Sequence, residues 1–178
     1  RHANQRRLEL NKLGNERIEW NAVAAHIRQR GLCGGLEIHR IERIQNHGNL
    51  LRFLNHPAKQ QHLLFHGTRP SCIDGIVNEG IDFRLHGDNG TMFGNGSYFA
   101  VYSSYAARFA NQARIDPIIG QMVKYLFVCA VKTGMYCKGC VGLRRPPLNA
   151  NGKGLFDSCV DDESNPSIFV TFDNSQSL

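Results

Sequence analysis

The spacing of apolar residues predicts a helix in the first part of the chain. Residues 5–30 have a helical period, with an interruption near Gly14. One apolar stripe at i, i+3, i+4 and i+7 carries this prediction: Trp20, Val23, Ala24 and Ile27. Gly31 is a suitable C-terminal stop. We therefore expect residues 1–35 to form an N-terminal helical segment, with Trp20 as a core anchor.

Extended segments follow, separated by short helices. The apolar run at 63–68 predicts a buried strand that ends in His66-Gly67-Thr68. Segment 123–131 is apolar on both faces, which predicts a central strand of a sheet. Further strands are expected at 36–44, where the alternation is irregular, at 98–101 and at 168–172. Strands and helices mix without a βαβ rhythm, which favours an α+β fold.

Polar residues and glycines mark where the helices begin and end. Ser71 and Asp74 have the spacing of a capping box, and Gly80 is expected to close the helix that follows. Residues 49–54 predict a short helix. Ser103 or Ser104 is expected to cap a helix that runs to about residue 111. Residues 81–97 and 142–154 are expected to be loops, the first with four glycines that allow a backbone to approach a ligand.

Length and charge narrow the class of protein. A chain of 178 residues with 42% hydrophobic content fits one globular domain, and no apolar run approaches a membrane span. The net charge of +6 arises in residues 1–60, where eleven Lys and Arg face five Glu. Because Glu9, Glu16 and Glu19 interleave with the basic residues, a solvated helix face is favoured over a nucleic-acid surface.

The cysteines bear on metal binding and location. Six cysteines are too sparse for a disulfide scaffold, so free thiols and an intracellular, cytoplasmic or nuclear location are expected. Cys137 and Cys140 form one C-x-x-C, with Cys159 as a third thiol, but no second pair follows, so no metal site is expected. Because the chain starts at Arg1 rather than Met, we expect a fragment of a longer protein.

An ordered set of motifs resembles the catalytic domain of the poly(ADP-ribose) polymerase family. The set is Phe65-His66-Gly67-Thr68, then Met92-Phe93-Gly94-Asn95-Gly96-Ser97-Tyr98-Phe99-Ala100, then Asp157-Ser158-Cys159-Val160-Asp161 and Asn165-Pro166-Ser167-Ile168-Phe169-Val170. Each motif alone is weak, and their order and spacing make the resemblance strong. The branch that matches has a His-Tyr-hydrophobic triad and transfers single ADP-ribose units.

The resemblance implies a fold, a substrate and a set of site residues. The fold would be two packed antiparallel sheets around an NAD-binding cleft, with flanking helices. NAD+ would be the co-substrate, and protein side chains the acceptors, with automodification as one outcome and no membrane partner. Carried over, the catalytic residues would be His66, Tyr98 and Ile168, and the NAD+-binding residues would be His66, Gly67, Thr68, Gly80, Tyr98, Ala106 and Phe109.

Three positions decide how the chemistry differs from that of chain-elongating relatives. Those relatives carry a glutamate where this chain has Ile168, and an aliphatic side chain cannot accept a hydrogen bond, so polymer elongation is disfavoured. The family's nicotinamide-binding serine is replaced by Ala106. Phe109 stands where tyrosine is common, which preserves an aromatic ring. A bare glycine backbone at Gly67 offers a donor and an acceptor to a carboxamide, and a ring at Tyr98 can favour a cation by cation–π attraction.

Three functions compete at this point. The first is a mono-ADP-ribosyltransferase, which the intact His66 and Tyr98 favour. The second is a catalytically silent NAD- or ADP-ribose-binding module of the same fold, which Ala106 favours. The third, a nucleic-acid-binding domain, rests on the basic first third alone and is ranked last.

Overall fold

The computed structural model describes residues 7–32, 37–85, 91–110, 114–116, 119–149 and 151–178. The helices in these ranges are α1 (Arg17–Gln29), α2 (His47–Asn55), α3 (Ile73–Glu79) and α4 (Ser103–Ala106). The strands are β1 (Arg7–Glu9), β2 (Glu42–Ile44), β3 (Gln61–Gly67), β4 (Ser97–Ala100), β5 (Arg114–Ile115), β6 (Met122–Val123), β7 (Leu126–Lys132), β8 (Tyr136–Lys138), β9 (Ser158–Val160) and β10 (Ile168–Thr171). Short 3₁₀ turns lie at Pro70–Cys72, Phe83–Leu85 and Asn174–Gln176.

Six strands form the main sheet, in the order β7-β3-β4-β10-β9-β8. All neighbouring pairs are antiparallel except β8 and β9, which are parallel. β3 pairs with β7 along seven positions but with β4 at one, Phe65 opposite Ala100. The predicted α+β class is confirmed. The resemblance implied two separate packed sheets. In the structure, β7-β3 and β4-β10-β9-β8 are two parts of one sheet, joined through a single residue pair.

The core lies on both faces of this sheet. On one face, Leu64, Phe99 and Phe169 pack together with Cys129, Val131 and Val160. On the other face, α1 places Ile27 against Phe65, Ala100 and Ala106. Side chains alternate along each strand, so consecutive residues such as Phe65 and Leu64 enter different clusters.

The predicted helix at 5–30 is correct only for its second half. α1 begins at Arg17, and residues 7–9 form β1, which pairs with β2 in the register Arg7 to Ile44. The helical propensity of residues 7–9 is overridden here by their pairing with β2. Of the strand predicted at 36–44, only β2 forms among the described residues. The first residue of the predicted segment lies outside the described ranges. α2 is confirmed, with the Asn46 side chain accepting a hydrogen bond from the Asn49 amide.

The predicted central position of segment 123–131 is only partly correct. Met122–Val123 form a separate strand with β5, and β7 is the outermost strand of the main sheet. Its outer side is nevertheless bonded to the last residues of the sequence, since Ala130 and Leu178 exchange backbone hydrogen bonds and Val131 forms an isolated bridge with Ser177. The apolar pattern of a strand indicates which of its faces are buried, and both faces of β7 are buried. Val128 packs towards α1, while Cys129 and Val131 belong to the core on the opposite face. Edge position depends on hydrogen-bonding neighbours, which periodicity does not report.

The predicted helix caps at serine are also wrong. The helix after β3 begins as the 3₁₀ turn Pro70–Cys72, and α3 starts one residue later with no side-chain cap, so Ser71 and Asp74 form no capping box. Gly80 closes α3 as predicted, with φ of 87°. The second expected cap, at Ser103 or Ser104, is absent because Tyr102 is the N-cap residue, and α4 ends at Ala106 rather than near residue 111.

Candidate active site

The most distinctive feature of the sheet is a fork between β3 and β4. Their ladder consists of the single pair Phe65–Ala100. Continuing the antiparallel register would next bring Gly67 opposite Tyr98, but that pair is not part of the ladder. Gly67 instead pairs with Leu126 of β7, and Tyr98 pairs with Val170 of β10. The two strands therefore separate at the predicted site residues.

His66 is held at the fork by the backbone of Tyr98. Its Nδ1 lies 2.9 Å from the Tyr98 carbonyl oxygen, and its ring packs at a tilt against Phe99 and Phe127. Burial lowers the pKa of His66, although the hydrogen bond to Tyr98 opposes this shift. The ring is then neutral at pH 7. Since a carbonyl can only accept, Nδ1 carries the proton and Nε2 keeps a free lone pair.

Tyr98 is fixed through its hydroxyl group. The hydroxyl donates to the Gly94 carbonyl at 2.8 Å and accepts from the Phe93 amide at 2.9 Å. Gly94 has φ of 125°, which side-chain-bearing residues rarely adopt, so the glycine is what lets the loop fold back onto the ring. Burial raises the pKa of Tyr98. The glycine-rich loop was predicted, but the hydrogen bonds of the Tyr98 hydroxyl to it were not. Their signal in the sequence is Gly94, which lies two residues before Gly96.

Gly67 lies directly against α4. A Cβ atom at Gly67 would be 1.9 Å from the carbonyl oxygen of Ala106, so only glycine fits there. Ala106 itself is buried, with 2% of its surface exposed. This contact makes α4 the wall of the fork on the Gly67 side.

Ser103 anchors α4 to the end of α1. Its buried hydroxyl lies 3.1 Å from the carbonyl oxygens of Ile27 and of Arg30, and its amide donates to Arg30. The Ser103 hydroxyl is therefore bonded to α1. It does not replace the serine hydroxyl that is missing at position 106. Sequence reasoning missed this anchor, because a serine next to a helix start is more often a cap.

The remaining predicted NAD+-binding residues lie at different distances from the fork. Thr68 directly follows β3 and is half-buried. Phe109, 40% exposed, lies three residues beyond Ala106 and packs against Tyr105 with ring centroids 5.5 Å apart. Gly80 faces the other way, since a Cβ atom there would lie 2.7 Å from the Asn49 side chain of α2. The structure thus sets Gly67 against Ala106, and it sets Gly80 against α2.

Ile168 begins β10, next to the fork. It lies opposite Ala100, is 7% exposed, and packs with Val170, Cys137 and Cys159. Tyr98 packs against the same cluster. The third residue of the predicted triad is therefore close to Tyr98 on one face of the sheet.

The carboxylates nearest to Ile168 are used within their own loop. Asp161 accepts hydrogen bonds from the Ile168 and Ser167 amides, both at 2.9 Å, and from the Ser167 hydroxyl. Burial opposes ionisation of Asp161, but these hydrogen bonds outweigh it, so its pKa is below the usual value. Asp162 accepts from Ser164, and Glu163 accepts from the Lys138 amide. Asp161 thus ties the end of β9 to the start of β10, and Glu163 ties the same loop to β8.

The thiols of the C-x-x-C region pack beneath Tyr98. The sulfur atoms of Cys137 and Cys159 are 3.9 Å apart, and both residues are buried. Burial raises the pKa of Cys159 to about 12, so this thiol stays protonated. Among the residues that the structure describes, no three His, Cys, Asp or Glu side chains are grouped so as to hold a metal ion.

Comparison with known proteins identifies the family. The sequence profile of the poly(ADP-ribose) polymerase catalytic domain matches residues 18–140. The chain belongs to this family. In the described part of the chain, no helix is long and apolar enough to cross a membrane.

Three similar proteins are described as mono-ADP-ribosyltransferases. Human protein mono-ADP-ribosyltransferase PARP11 is 33% identical over 196 residues, which covers 94% of this chain and 56% of the relative. The mouse protein of the same name is 32% identical, with 94% and 57% covered. Mouse PARP10 is 34% identical over 155 residues, covering 82% of this chain and 16% of the relative. The chain thus spans little more than half the length of its PARP11 relatives.

Proposed function

We propose that this chain transfers single ADP-ribose units from NAD+ to protein side chains and releases nicotinamide. The observation that carries the proposal is the fork between β3 and β4, where the ladder stops at Phe65–Ala100 and the His66 ring bonds to the Tyr98 carbonyl. Enzymes of this family use NAD+ as their substrate. The relatives' activity supports single transfer, and the aliphatic Ile168 supports it independently.

The fork offers what a nicotinamide ring requires. The Gly67 backbone has a donor and an acceptor without a side chain to cover them, which matches the carboxamide edge. Tyr98 contributes an aromatic face that its hydroxyl clamp keeps from rotating. Phe109, partly exposed beyond Ala106, would supply the opposite face. Aromatic faces favour the cationic ring of NAD+ over the neutral product, so they support release of nicotinamide after transfer.

His66 would orient the ribose on the adenosine side. The Nδ1 proton is engaged by Tyr98, so Nε2 is the atom that can accept a hydrogen bond from a ribose hydroxyl. Thr68, two residues later, would support the same sugar. Orientation matters because the bond to nicotinamide breaks with build-up of positive charge on the other ribose, and a fixed geometry lowers that barrier.

Ile168 would limit the product to one unit. In the reaction, the bond between ribose and nicotinamide breaks, nicotinamide takes the electron pair, and an acceptor carboxylate forms an ester with the ribose carbon. A ribose hydroxyl is a weaker nucleophile than a carboxylate and needs a base to attack. Ile168 supplies none, and Asp161 is bound within its own loop. An acceptor with its own negative charge needs no such base.

The second candidate is a silent module that binds NAD+ or ADP-ribose without turnover. Ala106 favours it, because the hydroxyl that relatives place there is missing and Ser103 is committed to α1. The loss of one hydrogen bond corresponds to about 0.5–1.5 kcal/mol, which weakens binding without abolishing it. The first candidate is therefore preferred.

A labelling experiment distinguishes the candidates. The chain is incubated with labelled NAD+ and a mixture of acceptor proteins, beside His66→Ala and the control His62→Ala. His62 lies on the same face of β3 and is also half-buried, with Nδ1 2.9 Å from the Thr133 hydroxyl, so its loss has a similar structural cost. Labelling, including automodification, should fall roughly tenfold or more in His66→Ala but stay near wild type in His62→Ala.

The remaining outcomes have defined meanings. Saturable NAD+ binding with no label transferred would favour the silent module. A ladder of polymer on the acceptor would contradict the role of Ile168. Equal labelling by both histidine variants would remove His66 from the site.

A further inference from the structure

We propose that an exposed surface on α4, formed by Tyr102, Tyr105 and Arg108, docks acidic segments of the acceptor protein. We call it the α4 platform. The proposal rests on the proposed transferase function and adds how the acceptor is recruited. None of the three residues belongs to the set that holds NAD+.

The α4 platform exposes large aromatic rings next to a cation. Tyr102 is 47% exposed and Tyr105 36%. The Arg108 guanidinium lies over the Tyr105 ring, 5.7 Å from its centroid. Tyr105 in turn packs against Phe109. Tyrosine and arginine dominate the binding energy of protein interfaces because they combine apolar contact with directed hydrogen bonds, whereas a helix that only covers a core does not need them on its outer face.

The charge of this region is positive. The sequence from 97 to 110 contains Arg108 but no Asp or Glu. Arg30 meets the start of α4, since its carbonyl accepts the Ser103 amide. By contrast, Arg40 on the β1–β2 side is paired with Glu42 and Asp116. A surface with unbalanced positive charge attracts a segment that carries several carboxylates.

The α4 platform is also next to the reacting centre. The contact between Ala106 and Gly67 joins α4 to the fork, and Tyr105 and Arg108 flank Ala106 within one turn. A polypeptide bound across Tyr105 would pass the outer side of Phe109. Docking there raises the local concentration of an acceptor carboxylate at the reacting ribose, and a carboxylate needs no base to attack.

The experiment separates acceptor docking from NAD+ chemistry. Two synthetic peptides of equal length contain a central glutamate, flanked by further glutamates in one and by glutamines in the other. Transfer to each peptide is measured beside hydrolysis of NAD+, in which water is the acceptor. The variants are Arg108→Glu and Tyr105→Ala. Arg17→Glu is the control, since this exposed arginine lies at the far end of α1, about 18 Å along the helix from the residues that hold Ser103.

The expected result is selective. For the acidic peptide, KM should rise roughly fivefold or more in Arg108→Glu, and the difference should shrink at high salt. Tyr105→Ala should raise KM for both peptides. NAD+ hydrolysis should be unchanged in Arg108→Glu, and Arg17→Glu should behave as wild type in every assay. Because Tyr105 packs against Phe109, the effect of Tyr105→Ala on docking is measured by peptide binding without NAD+.

Two results would overturn the α4 platform. One is an unchanged KM for the acidic peptide in Arg108→Glu, and the other is an equal loss in Arg17→Glu. Direct binding of the labelled acidic peptide, followed by fluorescence anisotropy without NAD+, tests docking even if the chain turns out to be silent. Binding that Arg108→Glu weakens, with no hydrolysis of NAD+, would refute the transferase and keep the docking surface.

Discussion

A Cβ atom on Gly67 would lie 1.9 Å from the carbonyl oxygen of Ala106. This contact links the strand that carries His66 to α4, which supplies the wall of the fork. Because the obstacle is a backbone atom, it cannot move aside as a side chain would. The geometry makes glycine at this position a structural requirement as well as a proposed binding element.

Gly67→Ala should therefore impair both folding and binding. Overpacking against the Ala106 carbonyl is expected to lower the free energy of unfolding by about 1–3 kcal/mol, measured by urea denaturation. NAD+ affinity should fall as α4 is displaced. The matched control is Gly75→Ala in α3, where a Cβ atom meets nothing within 4 Å and helix propensity should raise stability slightly. Equal effects of the two substitutions would contradict the close contact.

Ala106→Ser should strengthen the interaction with NAD+. The carbonyl of Ala106 already contacts Gly67, and the new hydroxyl can bond to the Tyr102 carbonyl four residues earlier when no ligand is bound. One added hydrogen bond predicts a KM for NAD+ that is roughly two- to tenfold lower, measured by nicotinamide release. Ala107→Ser, at the neighbouring half-buried position, is the control and should leave KM unchanged. A silent wild type that Ala106→Ser activates would identify the missing hydroxyl as the cause.

Tyr98→Phe tests the hydroxyl clamp on the loop before β4. The ring remains, but the Phe93 amide and the Gly94 carbonyl lose their shared partner, at a cost of about 1–3 kcal/mol in the free energy of unfolding. The control is Tyr136→Phe, whose ring packs edge-on against Phe169 and whose hydroxyl has no hydrogen-bond partner among the described residues. If both substitutions cost the same, the clamp contributes nothing measurable.

Stability should fall on mild acidification. The pKa of His66 is lowered by burial, and those of His26, His56 and His62 are lowered for the same main reason. Below pH 6.5, the ordinary value, the unfolded chain binds protons that the folded chain refuses, so the free energy of unfolding decreases as pH falls from 6.5 towards 5.

His66→Gln should reduce this slope by at most about 1.4 kcal/mol per pH unit, the limit for one proton. Urea denaturation at a series of pH values measures it. A slope identical to that of wild type would mean that His66 titrates normally in the folded protein.

Several features could be predicted from the sequence because they depend on neighbours along the chain. The stripe at Trp20, Ala24 and Ile27 predicted α1, and these residues are buried. The apolar runs predicted β3 and β10, since burial on both faces leaves a continuous apolar signal. Motif order predicted the family, which the comparisons confirm.

Other features depended on residues far apart in the chain, and only the tertiary structure decided them. β7 lies at an edge because of which strands bond to it, a property with no periodicity of its own. Ser103 serves α1 rather than α4, since two carbonyls from residues 27 and 30 converge on it. The fork arises because the β3–β4 ladder stops after Phe65–Ala100. The residue types at the site could be predicted from the sequence, but the hydrogen bond from His66 to the Tyr98 carbonyl depends on where the two strands separate.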